Sequence, residues 1–217
     1  MSSFPGSPYI IKGGIVLINP VTAAVERIIS LQYNPDTLSR TLQVQGMAGE
    51  KGTHGEALRL KGPPVETIKL EAELDATDQL ESGDTGAVQS GIQSQLAALE
   101  TILYPSSSQL LNNNKLSLSG TMEIIPMEMP LTLLIWNKNR ILPVRINEFS
   151  VTEEAFDVNL NPIRAKISLG MQVLSVDDLG FDNKGGGLYM NYLQNKERLA
   201  GMFAGGNLNA LGIKNIP

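Results

Sequence analysis

The tightest constraint on the fold is a two-residue rhythm. In VETIKLEAELDA (65–76), Ile68, Leu70, Ala72 and Leu74 share one parity with Glu66, while Thr67, Lys69, Glu71 and Glu73 share the other. Side chains alternate across a strand, so this stretch predicts a strand with one apolar and one charged face. IRAKISLGMQVLS (163–175) repeats the rhythm, with Ile163, Ala165, Ile167 and Leu169 opposite Arg164, Lys166 and Ser168. Two half-buried strands of this kind need neighbours and something apolar to cover them.

Other segments supply the neighbours. IIKGGIVLIN (10–19) and VERIISLQYN (25–34) are β-rich runs joined by a short link, the pattern of a hairpin. TLSRTLQVQGMA (37–48) alternates as well, with Arg40 on the parity of Leu38 and Leu42. LTLLIWN (131–137) and ILPVRINEFSV (141–151) flank Lys138-Asn139-Arg140 as a further hairpin. The period changes at IQSQLAALETILYP, where Ile92, Leu96, Leu99 and Leu103 recur at helical spacing until Pro105. Gly46–Pro64 reads as a long loop, and SSSQLLNNNKLSLSGTM (106–122) as a low-complexity connector with room for a short strand at 115–122. The prediction is a mainly β (α+β) fold, a curled β-sheet or barrel with one packed helix and a C-terminal helical extension. Residues 1–9 form a loose arm, 10–178 the β domain, and 179–217 a hinge at Gly185–Gly187, a helix over 188–203 and a tail.

Composition excludes several functions. The chain has 217 residues, enough for one large domain, with 17 Lys+Arg against 22 Asp+Glu and a net charge of −5. No basic run marks a nucleic-acid surface or a membrane-binding helix. Without Cys there are no disulfides, thiolate nucleophiles or Cys-based zinc sites; this fits a reducing compartment. MSSFPGSPYI has no basic start or long apolar core, so it does not read as a secretory signal. The longest apolar runs, such as LTLLIW, are too short to cross a bilayer.

Catalytic constellations are sparse. His54, the sole histidine, lies in GTHGEA with Glu56 and reads as an ordinary loop histidine, not a metal ligand. No GxSxG elbow, SxxK sequence or phosphate-binding GxxxxGK[ST] loop occurs. Glu153 and Glu154 are adjacent, so a strand sends them to opposite faces, whereas paired glycosidase carboxylates must face one substrate. Asp157, Asn159 and Asn161 are residue types that close turns through side-chain bonds to the backbone, and Asn161-Pro162 ends one strand and opens the next. Arg164 is placed to pair with one of the nearby carboxylates, within the protomer or across a subunit boundary. Met122, Met127 and Met129 read first as core, second as adaptable contact residues.

Two blocks carry a resemblance. SLQYNPDTLSRTL contributes Gln32, Tyr33, Asn34, Pro35, Leu38, Arg40 and Leu42; RINEFSVTEEAFDVNLNPIRAKISLGMQVL contributes Thr152, Glu153, Glu154, Ala155, Phe156, Asp157, Leu160, Asn161, Pro162, Ile163, Arg164 and Ala165. These blocks resemble the contractile injection system tube-protein family, in particular its baseplate hub members. The resemblance spans about residues 10–176 and implies a phage tail-tube-like sheet with its helix outside. It implies a structural baseplate subunit without catalysis, cofactor or metal. Such a subunit forms a homo-oligomeric ring, usually a hexamer, that joins the inner tube or tube initiator to the central spike and the baseplate wedge proteins. Nucleic acid and direct membrane insertion are not expected. Assembly is expected in the cytoplasm, in a particle either released or membrane-anchored. The residues implicated are Gln32, Tyr33, Asn34, Pro35, Arg40, Glu153, Glu154, Phe156, Asp157, Asn161, Pro162 and Arg164. Some relatives carry a LysM-type module after the tube domain, where this chain has a glycine-flanked helix and a tail. The alternatives are an inner-tube or initiator subunit and a carboxylate-dependent hydrolase.

Overall fold

The computed structural model describes residues 10–20, 22–46, 58–118 and 129–216. His54, Glu56, Met122 and Met127, the proposed arm at 1–9 and most of the 115–122 strand lie outside them.

Seven strands form one antiparallel sheet: β1 (Gly14–Ile18), β2 (Val25–Ser30), β3 (Leu38–Gln43), β4 (Val65–Asp75), β5 (Leu131–Asn137), β6 (Arg140–Phe156) and β7 (Pro162–Val173). The order is β2-β1-β5-β6-β7-β4-β3. Both predicted hairpins form, β1 with β2 and β5 with β6. The alternation in β4 and β7 is realised: Ile68, Leu70, Ala72, Ala165, Ile167 and Leu169 are buried and face the main core.

Edge strands β2 and β3 are consecutive in sequence, joined only by residues 31–37. In a flat sheet β2 and β4 would stand about 24 Å apart, at about 4.8 Å per strand. Here Gln32, two residues past β2, donates from Nε2 to the Asp75 carbonyl of β4 (2.6 Å), and the Asp75 N–H donates to Gln32 Oε1 (2.9 Å). The sheet is therefore strongly curled without closing.

Parity along β6 switches midway. Leu142, Val144 and Ile146 face the core, then Phe149 and Val151 do. A bulge between Ile146 and Glu148 absorbs the change and turns Glu148, Ser150, Thr152 and Glu154 outward.

The helical layer is larger than the sequence reading. Besides α3 (Gln93–Glu100), which packs Leu96 and Leu99 inward with Ile92 and Ile102 beside it, there are α1 (Thr77–Glu81), α2 (Thr85–Ser90) and α4 (Ser107–Leu118). The predicted helix ends before Leu103, which lies in the turn beyond it, half-buried. The polar stretch before Gly91 folds as α2 because Asp84 caps it, accepting from the Ala87 N–H. The supposed connector is a helix up to Leu118, not a strand. Ser106 Oγ accepts from the Gln109 N–H, and Gln109 Oε1 accepts from the Ser106 N–H, forming a capping box.

After β7, α5 (Val176–Leu179) leads into α6 (Lys184–Gly201). Gly185–Gly187, read as a hinge, form the first turn of α6 instead. A Cβ on Gly186 would collide with the Gly180 carbonyl oxygen, so glycine permits the close approach of α5 and α6. α6 sends Tyr189 and Tyr192 into the main core, while Leu188 packs on a small second cluster, Val16, Ile18, Leu131 and Leu133, on the opposite face of β1 and β5.

Candidate functional site

Two charged assemblies lie at opposite ends and on opposite faces of β4. The first is the outer face of the adjacent strands β6, β7 and β4. Register places Glu154, Arg164 and Asp75 in one row, Thr152, Lys166 and Glu73 in the next, and Glu148, Gly170 and Lys69 further along. Arg164 turns to Asp75, with Nε and Nη2 both 2.9 Å from Oδ2. Lys166 takes Glu154 on the diagonal, Nζ to Oε1 at 3.2 Å. Glu148 reaches across the middle strand to Lys69, Oε2 to Nζ at 2.9 Å. Gly170 makes that crossing possible, because a Cβ there would meet Glu148 Cβ at 2.9 Å.

Asp75 joins the two sequence blocks. Its backbone is held by Gln32 from the first block, and its carboxylate by Arg164 from the second and by the Thr77 hydroxyl. The Thr77 hydrogen bond, aided by the Arg164 guanidinium, holds the Asp75 carboxyl below its ordinary value despite some burial. A cleft of about 350 Å³ opens beside it, lined by Tyr33, Glu73, Asp75, Glu154, Arg164 and Lys166.

The remaining predicted residues divide by task. Asn34 pins the start of the chain: its Oδ1 accepts from the Gly13 N–H and its Nδ2 donates to the Ile11 carbonyl. Pro35 is half-buried in the β2–β3 link. Asp157 closes the β6–β7 turn, its Oδ1 accepting from the Asn159 and Asn161 N–H groups and its Oδ2 from Asn161 Nδ2. Those bonds, Asn161 foremost, lower the Asp157 pKa. Asn161 also donates to the Gln89 carbonyl, and the Pro162 carbonyl accepts from the Ile92 N–H, tying the turn to α2 and α3. Glu153 pairs in register with Ala165, an inward position, so Glu153 and Glu154 do diverge; Glu153 and Phe156 are exposed. Arg164 pairs with Asp75 and with neither of them, although they are nearer in sequence.

The second assembly surrounds Glu66, which is 3% exposed. Tyr192 donates its hydroxyl to Glu66 Oε1 at 2.9 Å, Lys196 Nζ lies 2.9 Å from Oε2, and Arg40 Nε is 3.5 Å from Oε1. Lys196 also stands 4.1 Å above the Tyr192 ring centroid. The cluster clamps α6 onto β3 and β4. Of its members the sequence reading singled out only Arg40. The others left a signal: Glu66 is the one charge on the apolar parity of β4, and Tyr189, Tyr192 and Lys196 fall on one helical stripe.

Among the described residues no His, Asp or Glu cluster has the makings of a metal site, and no helix is long and apolar enough to cross a membrane.

No protein-family model matches the chain, and no curated protein matches it. Similar solved structures include a chain of the tail of an empty GTA particle, computed with helical refinement and C6 symmetry. It is 12% identical, covering 75% of this chain and 90% of that one, with a TM-score of 0.29. A chain of the virion of a native gene transfer agent particle is 12% identical, covering 73% and 90%, with a TM-score of 0.26. A likeness at such scores carries no functional weight.

Proposed function

We propose that the chain is a structural subunit of a phage-tail-like contractile injection machine, forming a ring that joins the inner tube to the central spike and baseplate, without catalysis. The observation that carries this reading is a curled, unclosed sheet with one face under helices, the other bare and charged over β4, β7 and β6, and several open edges. β2 and β3 each have one partner strand, and β6 beyond Asn147 pairs with β7 alone among the described residues. Open edges invite pairing with another chain, and repeated rotation of one such contact closes a ring. The bare face then turns inward to a polar channel, with the helices outside.

The two blocks that resemble the family support the same role. They meet at Asp75, where they fix the curl, and their charges serve geometry instead of turnover. Two of the three carboxylates of the cleft, Asp75 and Glu154, are already paired, with Arg164 and Lys166. Electron microscopy of the purified chain mixed with tube and spike proteins tests the proposal. Six-fold rings bridging the two are expected; a chain that stays monomeric and joins neither overturns it.

A further inference from the structure

The stretch after α6 lies almost wholly exposed. Every described residue from Glu197 onward is exposed except Leu208, and the hydrogen bonds of 199–216 are local, such as Ile213 N–H to the Leu208 carbonyl. Yet it presents Met202 (70%), Phe203 (79%), Leu211 (74%) and Ile216 (76%) to solvent. Single exposed apolar residues are ordinary, but a whole segment of them marks a contact surface. Its charge is distinctive: residues 198–216 hold Arg198 and Lys214 and no Asp or Glu. The rest of the chain therefore carries 15 basic and 22 acidic residues, a net −7 against +2 for the arm.

The chain also has a matching receptor. Between Leu70 and Asn114 there is no Lys or Arg, and α3 ends on Glu100. Where the end of α3 meets edge strand β2, a groove of about 980 Å³ opens, walled by Pro20, Glu26, Tyr104, Pro105, Met129 and Pro130 among others. Tyr104 is 69% exposed there, and Ile28 of the adjoining β2 edge is equally so. Among the described residues the one base lining the groove, Arg27, already donates to the Ala98 carbonyl and Thr101 Oγ1. The groove thus offers apolar walls, an open strand edge and the carboxylate of Glu26, with Glu100 next in sequence to the lining residue Thr101, to a segment that is apolar and basic.

We propose that residues 198–216 of one copy dock in the groove between β2 and the α3–α4 connection of a second copy. With the 3-10 turn at Leu208–Leu211 kept, the fourteen steps from Met202 to Ile216 span up to about 40 Å, enough to reach a neighbour. The contact is heterologous, arm to groove, so it propagates around a ring or along a stack.

The absence of Cys makes the test clean. Unlabelled chain carrying Ile213→Cys and a benzophenone maleimide is mixed with the unmodified chain grown on heavy nitrogen, then illuminated. Expected are light–heavy adducts in peptides covering 19–30 and 101–109, and loss of the oligomer by light scattering in the Phe203→Asp, Ile213→Asp variant. Adducts confined to the light chain, adducts elsewhere on the heavy chain, or an oligomer unchanged by the double substitution would each overturn the proposal. Phe203 and Ile213 lie outside the core, so the variant keeps its fold. No tube or spike protein is present, so this result is independent of whether the ring belongs to an injection machine.

Discussion

Glu66 and Asp75 lie at the two ends of the same strand, and both are acids held by cations, yet they do opposite work. Glu66 faces inward, 3% exposed, with a tyrosine, a lysine and an arginine around it. Asp75 faces outward beside Arg164, whose side chain is 49% exposed. A buried carboxylate must be fully compensated or it costs several kcal/mol, so its partners become obligatory and α6 is fixed in place. An exposed pair competes with water and salt and contributes little to stability, so what it supplies is orientation. The inner cluster holds the molecule together; the outer ladder fixes the arrangement of charge on the bare face.

That contrast is open to measurement. The largest effect is expected at the clamp. Glu66→Ala leaves Arg40 and Lys196 facing each other without their anion and should destabilise the chain by about 3 kcal/mol, read by urea unfolding. Hydrogen exchange should show α6 opening first. The next is much smaller: Arg164→Ala should cost less than about 1 kcal/mol, while disturbing the proposed ring more than stability. If the two substitutions cost the same, burial is not what separates the clusters.

The smallest effect is that of acid on the outer groups. Asp75 and Asp157 both have folded pKa values below the ordinary 3.8. Their contribution is therefore fully present above about pH 4 and is lost as pH falls through their lower folded values. Protection of the Asn159 and Asn161 amides, whose N–H groups donate to Asp157, taken relative to the intrinsic exchange rate at each pH, should fall in that range and be flat from about pH 5 to 8. A change near neutrality would break this assignment.

Local rules reached far into this protein because its strands are amphipathic. The alternation in 65–76 and 163–175 fixed which face is buried, Asn161-Pro162 fixed the β6–β7 turn, and the spacing of Ile92, Leu96 and Leu99 fixed a helix. Misreadings came where local signals were weak or counter to habit. SSSQ has the look of low complexity but is a capping box, and three glycines have the look of a hinge but make a tight helix–helix contact. The motif residues themselves were legible; their partners were not. Arg164 has two glutamates ten and eleven positions away, yet it pairs with Asp75 on the other neighbouring strand.

What the sequence determined by itself is therefore the periodicity, hence the faces and most strands, since side-chain direction repeats every two residues whatever the strand's neighbours are. What only the tertiary structure decided is adjacency: that β7 lies between β6 and β4, that the sheet curls until Gln32 reaches Asp75, and that α6 brings Tyr192 and Lys196 to Glu66. Those contacts join residues 43, 126 and 130 positions apart. Strand order and curl are set by how the whole apolar surface is covered at once, and no local window contains that balance.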